Sequence, residues 1–333
     1  MTLRARIVGT GGYAPEEVVT NSELADRLAR LGVETSDEWI RSRTGIERRH
    51  FARPDEQTSD MAREASLRAL DMAGLKPKDL DLIVVGTISG DMPMPACAAF
   101  LQAKLGASCA AFDVSAACAG SIYGLSIADS FIRSGAARTV LVVGVELLSR
   151  ILNWEDRNTC VLFGDAAGAM VLRAESSAEG RGVLTARIET DGALTDILKI
   201  PGGGSIYPMN EQSVADKLGY VAMNGREVFK TAVRSLSEVL KSTLASVDMT
   251  AEDLDWLVPH QANIRIVDTV IERLGMPREK AILNIAEYGN TSSASVPITL
   301  DEGVRSGQIQ PGHVVGMMAI GSGMSWGASV VRW

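Results

Sequence analysis

The sequence predicts an α/β protein made of two related halves, and two observations carry that prediction. Short apolar, β-branched runs alternate with stretches of helical periodicity along the 333 residues, the pattern of a mixed or parallel sheet covered by helices. Two segments also recur at nearly one spacing. Lys76-Pro-Lys-Asp-Leu-Asp-Leu-Ile-Val-Val-Gly-Thr87 matches Thr250-Ala-Glu-Asp-Leu-Asp-Trp-Leu-Val-Pro-His-Gln261 at an offset of 174, and Asp113–Gly120 lines up with Ile285–Ser292 at an offset of 172. Two matches so close in offset argue for a duplicated unit of about 170 residues.

Taken in order, the strands are expected at Leu82–Val85, Val140–Val143, Ala169–Leu172, Trp256–Val258, Val314–Ala319 and Ala328–Val331, each rich in Val, Ile, Leu or Ala. Helices are expected between them at Ser59–Ala73, Cys97–Leu105, Gly120–Ser134, Arg226–Ala245 and Arg265–Leu274, where apolar residues return every three or four positions. The run Pro201-Gly-Gly-Gly-Ser205 marks a long loop over 191–222. The halves divide near residue 178, into 1–178 and 179–333.

Hydrophobic residues make up 46% and charged residues 22%, as in a soluble globular chain that buries a sizeable core. A net charge of -8 argues against general nucleic-acid binding, yet leaves room for a local basic patch. No apolar run approaches the length of a membrane span, and the N-terminus shows no export signal, so a cytoplasmic location is expected. The four cysteines, Cys97, Cys109, Cys118 and Cys160, lack C-x-x-C spacing and read as free thiols. No metal-ligand pattern stands out.

Three positions could carry chemistry. Cys118 lies in Ala116-Ala-Cys-Ala-Gly-Ser121, where small neighbours admit a bulky acyl group and a following helix N-terminus favours a thiolate. The other reading is a packing thiol. Of only three histidines, His50 sits in a basic run and His313 follows a Pro-Gly turn. His260 ends an apolar run at Pro259, which places it at a strand's carboxyl end, where ligands collect. Asn290, in Tyr288-Gly-Asn-Thr-Ser-Ser293, would by itself be a turn residue; the repeat sets it opposite Cys118. The glycine-rich run Gly321-Ser-Gly-Met324 suits an oxyanion hole better than a phosphate loop, because it has no Walker lysine.

Six motifs in order, spanning nearly the whole chain, resemble the β-ketoacyl-[acyl-carrier-protein] synthase III family. They are Thr35–Ile46, Phe112–Gly120, Phe163-Gly-Asp-Ala-Ala-Gly168, Pro259-His-Gln-Ala-Asn-Ile-Arg265, Tyr288-Gly-Asn-Thr-Ser292 and Trp326-Gly327. The resemblance implies a thiolase-like fold with layered α-β-α-β-α architecture and a homodimer. It implies that Cys118, His260 and Asn290 form a catalytic triad, with the backbone at Cys118 and Ser322 as the oxyanion hole. An acyl-coenzyme A would load Cys118, and malonyl-acyl carrier protein would then be decarboxylated and condensed with it, with no cofactor. Trp39, Arg43, Thr44, Arg157 and Asn263 correspond to coenzyme A contacts, and Lys230, Arg265 and Arg273 to basic contacts for the carrier protein.

The chain departs from the family in three ways. Gly321-Ser-Gly-Met324 replaces three glycines and an aromatic, and the loop over 191–222 is longer than usual. Met94 stands where a Phe often limits the acyl pocket across the dimer; a thinner Met gives room for a starter longer than acetyl. Two rival readings follow. One is a paralogue of secondary metabolism that uses the same triad on a longer acyl group. The other is a non-enzymatic partner subunit, which the intact Cys118 argues against.

Overall fold

The strands predicted from β-branched runs assemble into two sheets, one in each half of the chain. The computed structural model describes residues 3–176 and 180–333. The expected boundary between residues 178 and 179 therefore lies outside the described residues. In chain order the framework elements are β1 (Leu3–Tyr13), α1 (Thr58–Ala73), β2 (Leu82–Gly86), α2 (Cys97–Leu105), β3 (Ala110–Val114), α3 (Gly120–Arg133), β4 (Thr139–Glu146) and β5 (Ala166–Ser176). The second half supplies β6 (Gly182–Thr190), α4 (Gly225–Ala245), β7 (Trp256–Pro259), α5 (Ile264–Leu274), α6 (Ser295–Arg305), β8 (Val314–Gly321) and β9 (Ser325–Arg332).

The first sheet runs β1-β5-β4-β2-β3 and the second β7-β8-β9-β6. The two share a plan. β2 pairs in parallel with β3 and β4, β5 is antiparallel to β4, and β1 is antiparallel to β5. Likewise β7 is parallel to β8, β9 is antiparallel to β8, and β6 is antiparallel to β9. The strand matching β3 is reduced to one parallel bridge, Leu257 to Ala281.

Side-chain alternation sorts these strands into layers. Val84, Val140, Val142, Met170 and Leu172 face inward, onto Ile122, Leu125, Ala128 and Ile132 of α3 and onto Val315, Met317 and Ala319 of the second sheet. Ile83, Val85, Leu141, Val143 and Val171 face outward, onto Met61, Ala65 and Ala69 of α1 and Leu101 of α2. On the far side, Val233, Leu236 and Leu240 of α4 and Ile266, Val270 and Ile271 of α5 cover Met318, Ala328 and Val330. Both sheets are buried on both faces, which is why their strands read as continuous apolar runs.

The repeat is real, but its register at the chemical positions differs from the expected one. Ala117 and Ser292 are the matching residues: each adopts a positive φ (44° and 50°) and each opens a 3-10 turn leading into a helix. Cys118 therefore corresponds to Ser293, and Asn290 falls three residues earlier than the position expected for it. An ungapped match of Ala, Gly, Ser and Thr carries too little pattern to register a three-residue difference in the preceding loop. The segment 191–222 is also more ordered than expected, with a short helix Glu211–Ala215 and a strand pair Leu198–Lys199/Ala222–Met223.

The halves meet where small residues let the helix starts press on the sheet. A Cβ on Gly144 would lie 2.0 Å from the Ser293 carbonyl oxygen, and one on Gly86 2.6 Å from the Gly120 carbonyl carbon. Neither neighbour can yield without moving the active turns. Gly144→Ala is expected to destabilise the fold by about 3 kcal/mol, the upper range of overpacking; denaturant unfolding with an unchanged midpoint would refute it.

Candidate active site

Cys118 sits at the centre of the molecule because its turn opens α3, the helix between the two sheets. It is buried and borders two cavities. The larger, of about 1100 Å³, also reaches His260, Asn290, Trp39, Arg157 and Lys230. The smaller, of about 340 Å³, is lined by Ile88, Leu148, Leu198, Ile200 and Val221, with Ser322 beside it. One sulfur thus faces a wide polar-mouthed channel on one side and a mainly apolar chamber on the other. A Cβ on Gly321 would stand 2.5 Å from the Cys118 backbone nitrogen, so glycine alone lets the β8 turn approach Cys118.

His260 leaves the end of β7, its N–H bonded to the Met318 carbonyl at 2.8 Å. Its Nδ1 lies 2.6 Å from the Ser295 hydroxyl oxygen. That oxygen already accepts the Gln261 N–H at 3.3 Å, so its own proton is available to Nδ1. With that proton given to Nδ1, the ring carries its own on Nε2, as a donor towards the cavity. Burial pushes the imidazole down to about 3, which keeps it neutral.

Asn290 is held by its backbone: its N–H donates to Leu162 at 2.8 Å, and its carbonyl accepts the Gly164 N–H at 3.1 Å. The Phe163–Gly168 motif is therefore the shelf that carries Asn290. Its Oδ1 accepts the Ser292 N–H at 2.9 Å. An N–H can be met only by the oxygen of the amide, so the NH2 end is the donor left for the cavity.

Burial pushes the Cys118 thiol up to about 12; the nearby Ser292 hydroxyl and its own backbone N–H pull the other way, and the charge of Glu146 adds to the rise. Desolvation thus outweighs the helix N-terminus that the sequence argument relied on. Close by, burial pushes the Glu146 carboxyl up to about 7. Its oxygens accept from Ser292 Oγ (3.1 Å), the Ile88 N–H (3.2 Å) and Ser89 Oγ. Sequence reasoning missed Ser292, Ser295 and Glu146. The available signal for Glu146 was its place at the carboxyl end of a central strand.

The matches with known proteins agree with this geometry. Residues 112–192 match the family model for 3-oxoacyl-[acyl-carrier-protein (ACP)] synthase III, and residues 244–333 match its C-terminal model. The β-ketoacyl-[acyl-carrier-protein] synthase III of Sphingopyxis alaskensis is 49% identical over 333 residues, all of both chains. That of Xanthomonas campestris pv. campestris is 48% identical over 330 residues, covering 99% of this chain and 98% of the relative. The chain belongs to the β-ketoacyl-[acyl-carrier-protein] synthase III family. The crystal structure of 3-oxoacyl-[acyl-carrier-protein] synthase III from Aquifex aeolicus VF5 superposes with a TM-score of 0.89 at 43% identity, over 99% of this chain and 100% of that one. The fold is the thiolase-like fold of the synthase III family.

Most residues expected at the substrate side of a synthase III gather at the larger cavity. Arg43, Arg157, Arg226, Lys230 and Arg265 line it, with no carboxylate among the described lining residues. In a chain of net charge -8 this is a marked local reversal. Arg226 was not expected. Arg157 lies 4.4 Å from the Trp39 ring centre and Arg43 4.7 Å from it. Thr44 is buried, its hydroxyl donating to Ile40 at 2.7 Å. Asn263 caps α5 by accepting the Arg265 N–H at 2.9 Å and donates to the Arg43 carbonyl at 3.1 Å.

Two expected residues lie elsewhere. Arg273 is exposed in the last turn of α5, away from both cavities. Met94 is 83% exposed and borders neither cavity in the single chain. No helix among the described residues is long and apolar enough to cross a membrane, and none of them form a metal-binding group of His, Cys, Asp or Glu.

Proposed function

We propose that the protein condenses a short acyl-coenzyme A, acetyl or near it, with malonyl-acyl carrier protein in the first elongation of fatty-acid synthesis. The observation that carries this is the single cavity that joins a basic mouth to Cys118, His260 and Asn290. Cys118 attacks the thioester carbonyl, the C–S bond to coenzyme A breaks, and an acyl-Cys118 remains. Malonyl then loses carbon dioxide, and its thioester oxygen gains enolate charge. The Nε2–H of His260 and the NH2 of Asn290 are neutral donors aimed where that charge grows, so they stabilise it without quenching the carbanion. The carbanion attacks the acyl carbonyl and frees Cys118. Backbone N–H groups of Cys118 and Ser322 are the natural hole for that oxyanion.

The apolar chamber behind the sulfur takes the starter's alkyl end. Trp39, Arg43 and Arg157 form the platform for the coenzyme A nucleotide, an adenine displacing a guanidinium from the indole. Thr44 and Asn263 shape that platform through their hydrogen bonds. Lys230 and Arg265 meet the acidic carrier protein, with Arg273 further along the same helix face. The chemistry itself calls for no cofactor, since coenzyme A arrives on the substrate. We read the working form as a cytoplasmic homodimer, in which the exposed Met94 would close the chamber of the partner.

The test is to offer acyl-coenzyme A thioesters of increasing chain length and weigh the protein. A gain of the acyl mass on Cys118 with acetyl or a near homologue is expected; loading by long chains alone would overturn the primer reading. Trp39→Ala is expected to raise the KM for acyl-coenzyme A about tenfold with little change in kcat, because it removes binding made equally in ground and transition states. Steady-state kinetics at fixed malonyl-carrier concentration check it.

A further inference from the structure

The buried thiol poses a problem that the triad leaves open. Neither His260, whose Nδ1 is occupied by Ser295, nor Asn290 is placed as a base, yet Cys118 must lose a proton to attack a thioester. Ser292 is the residue that links Asn290 to the buried Glu146 beside Cys118. Its hydroxyl donates to Glu146 Oε1 at 3.1 Å and lines the same chamber as Cys118, while its N–H holds Asn290 Oδ1 at 2.9 Å. Its φ of 50° lies in the left-handed region, at the opening of the turn that leads into α6. Behind it, Glu146 is 0% exposed at the end of β4. Among the described residues no Lys, Arg or His forms an ion pair with it; its oxygens accept from the Thr87, Ser89 and Ser292 hydroxyls and the Ile88 N–H, and its charge is felt at Cys118. A buried carboxyl without a counter-ion, joined by one hydroxyl to a nucleophile, costs stability and so calls for a use.

Resting on the reading of Cys118 as the acylated nucleophile, we propose that Ser292 and Glu146 form a proton relay for that cysteine. As the sulfur–carbon bond forms, the Cys118 proton passes to Ser292 Oγ while the Ser292 proton passes to Glu146. The site keeps a single negative charge throughout, which avoids placing two anions side by side in a low-dielectric interior. When the bond to coenzyme A breaks, Glu146 returns its proton through Ser292 and the departing sulfur leaves as a thiol. The loading step is then neutral overall. The thiolate freed later by condensation takes its proton from solvent, which is the one proton that the whole reaction consumes. The neighbourhood favours this assignment: the matching residue of the other half, Ala117, has the same backbone turn without a hydroxyl, so the turn itself does not require one.

The experiment measures the rate of acyl-Cys118 formation by quenched flow from pH 6 to 10 in the unaltered protein, Glu146→Gln and Ser292→Ala. Alanine is tolerated at this φ, as Ala117 shows. Both variants are expected to load about a hundredfold more slowly at pH 7, the scale of lost general-base assistance. Their deficit is expected to shrink about tenfold per pH unit as direct ionisation of the thiol takes over. Should Glu146→Gln fail to fold, Ser292→Ala carries the same comparison. A deficit of equal size at every pH, or none, overturns the relay and leaves the condensing function standing. Failure of the unaltered protein to load any acyl group overturns both.

Discussion

Cys118→Ala is expected to abolish acyl loading and to lower condensation by about 10⁴-fold or more, since the covalent intermediate has no other carrier. The loss is selective. His260 and Asn290 keep their own anchors, at Met318 and Ser295 for the one and at Leu162, Gly164 and Ser292 for the other. The variant should therefore still decarboxylate malonyl-carrier, uncoupled from condensation. Truncating a small buried side chain costs about 1 kcal/mol, too little to unfold the chain. Carbon dioxide release and 3-oxoacyl product, measured side by side, check it. Product formation by the variant near the unaltered rate would show that Cys118 is not the nucleophile.

His260→Ala is expected to lower condensation by about 10²–10³-fold, the scale for loss of one preorganised donor to a developing oxyanion, while acyl loading persists. Its pH behaviour follows from burial. The folded-state pKa is depressed from 6.5 to about 3, so the native state holds the neutral ring. That contribution is complete above about pH 6.5 and is lost as pH falls towards 3. It amounts to about 5 kcal/mol, as an order of magnitude. Between pH 6.5 and 3 the unaltered protein should lose stability that His260→Ala does not lose, as read by chemical unfolding at several pH values. Equal acid sensitivity in both would place the cost elsewhere. A limb in the activity profile between pH 6 and 8 would belong to Glu146, pushed up to about 7, rather than to His260.

Much of the framework was legible because the core strands are buried on both faces. Leu82–Val85, Val140–Val143 and Val314–Ala319 read as strands for the same reason that they are strands: their apolar side chains meet helices above and below. Outer elements such as β1 and β6 alternate polar and apolar residues, and gave no such run. That Cys118, His260 and Asn290 would come together was legible from residue chemistry, from strand ends and from the family motifs, and they line one cavity. The register of the repeat was not: the true match of Cys118 is Ser293, and only backbone conformation at Ala117 and Ser292 revealed it.

By itself the sequence determined that the chain folds as two halves of α/β type with a cysteine at a helix start, and that its overall charge is acidic. These properties reside in local pattern and composition, which the chain carries before it folds. The tertiary structure decided what that cysteine can do. Burial raises the thiol, holds His260 neutral and raises the Glu146 carboxyl, and the fold collects five cations at one cavity of an acidic protein. Each is a matter of distance and desolvation between residues remote in the chain, and neither quantity exists until the two sheets close on α3.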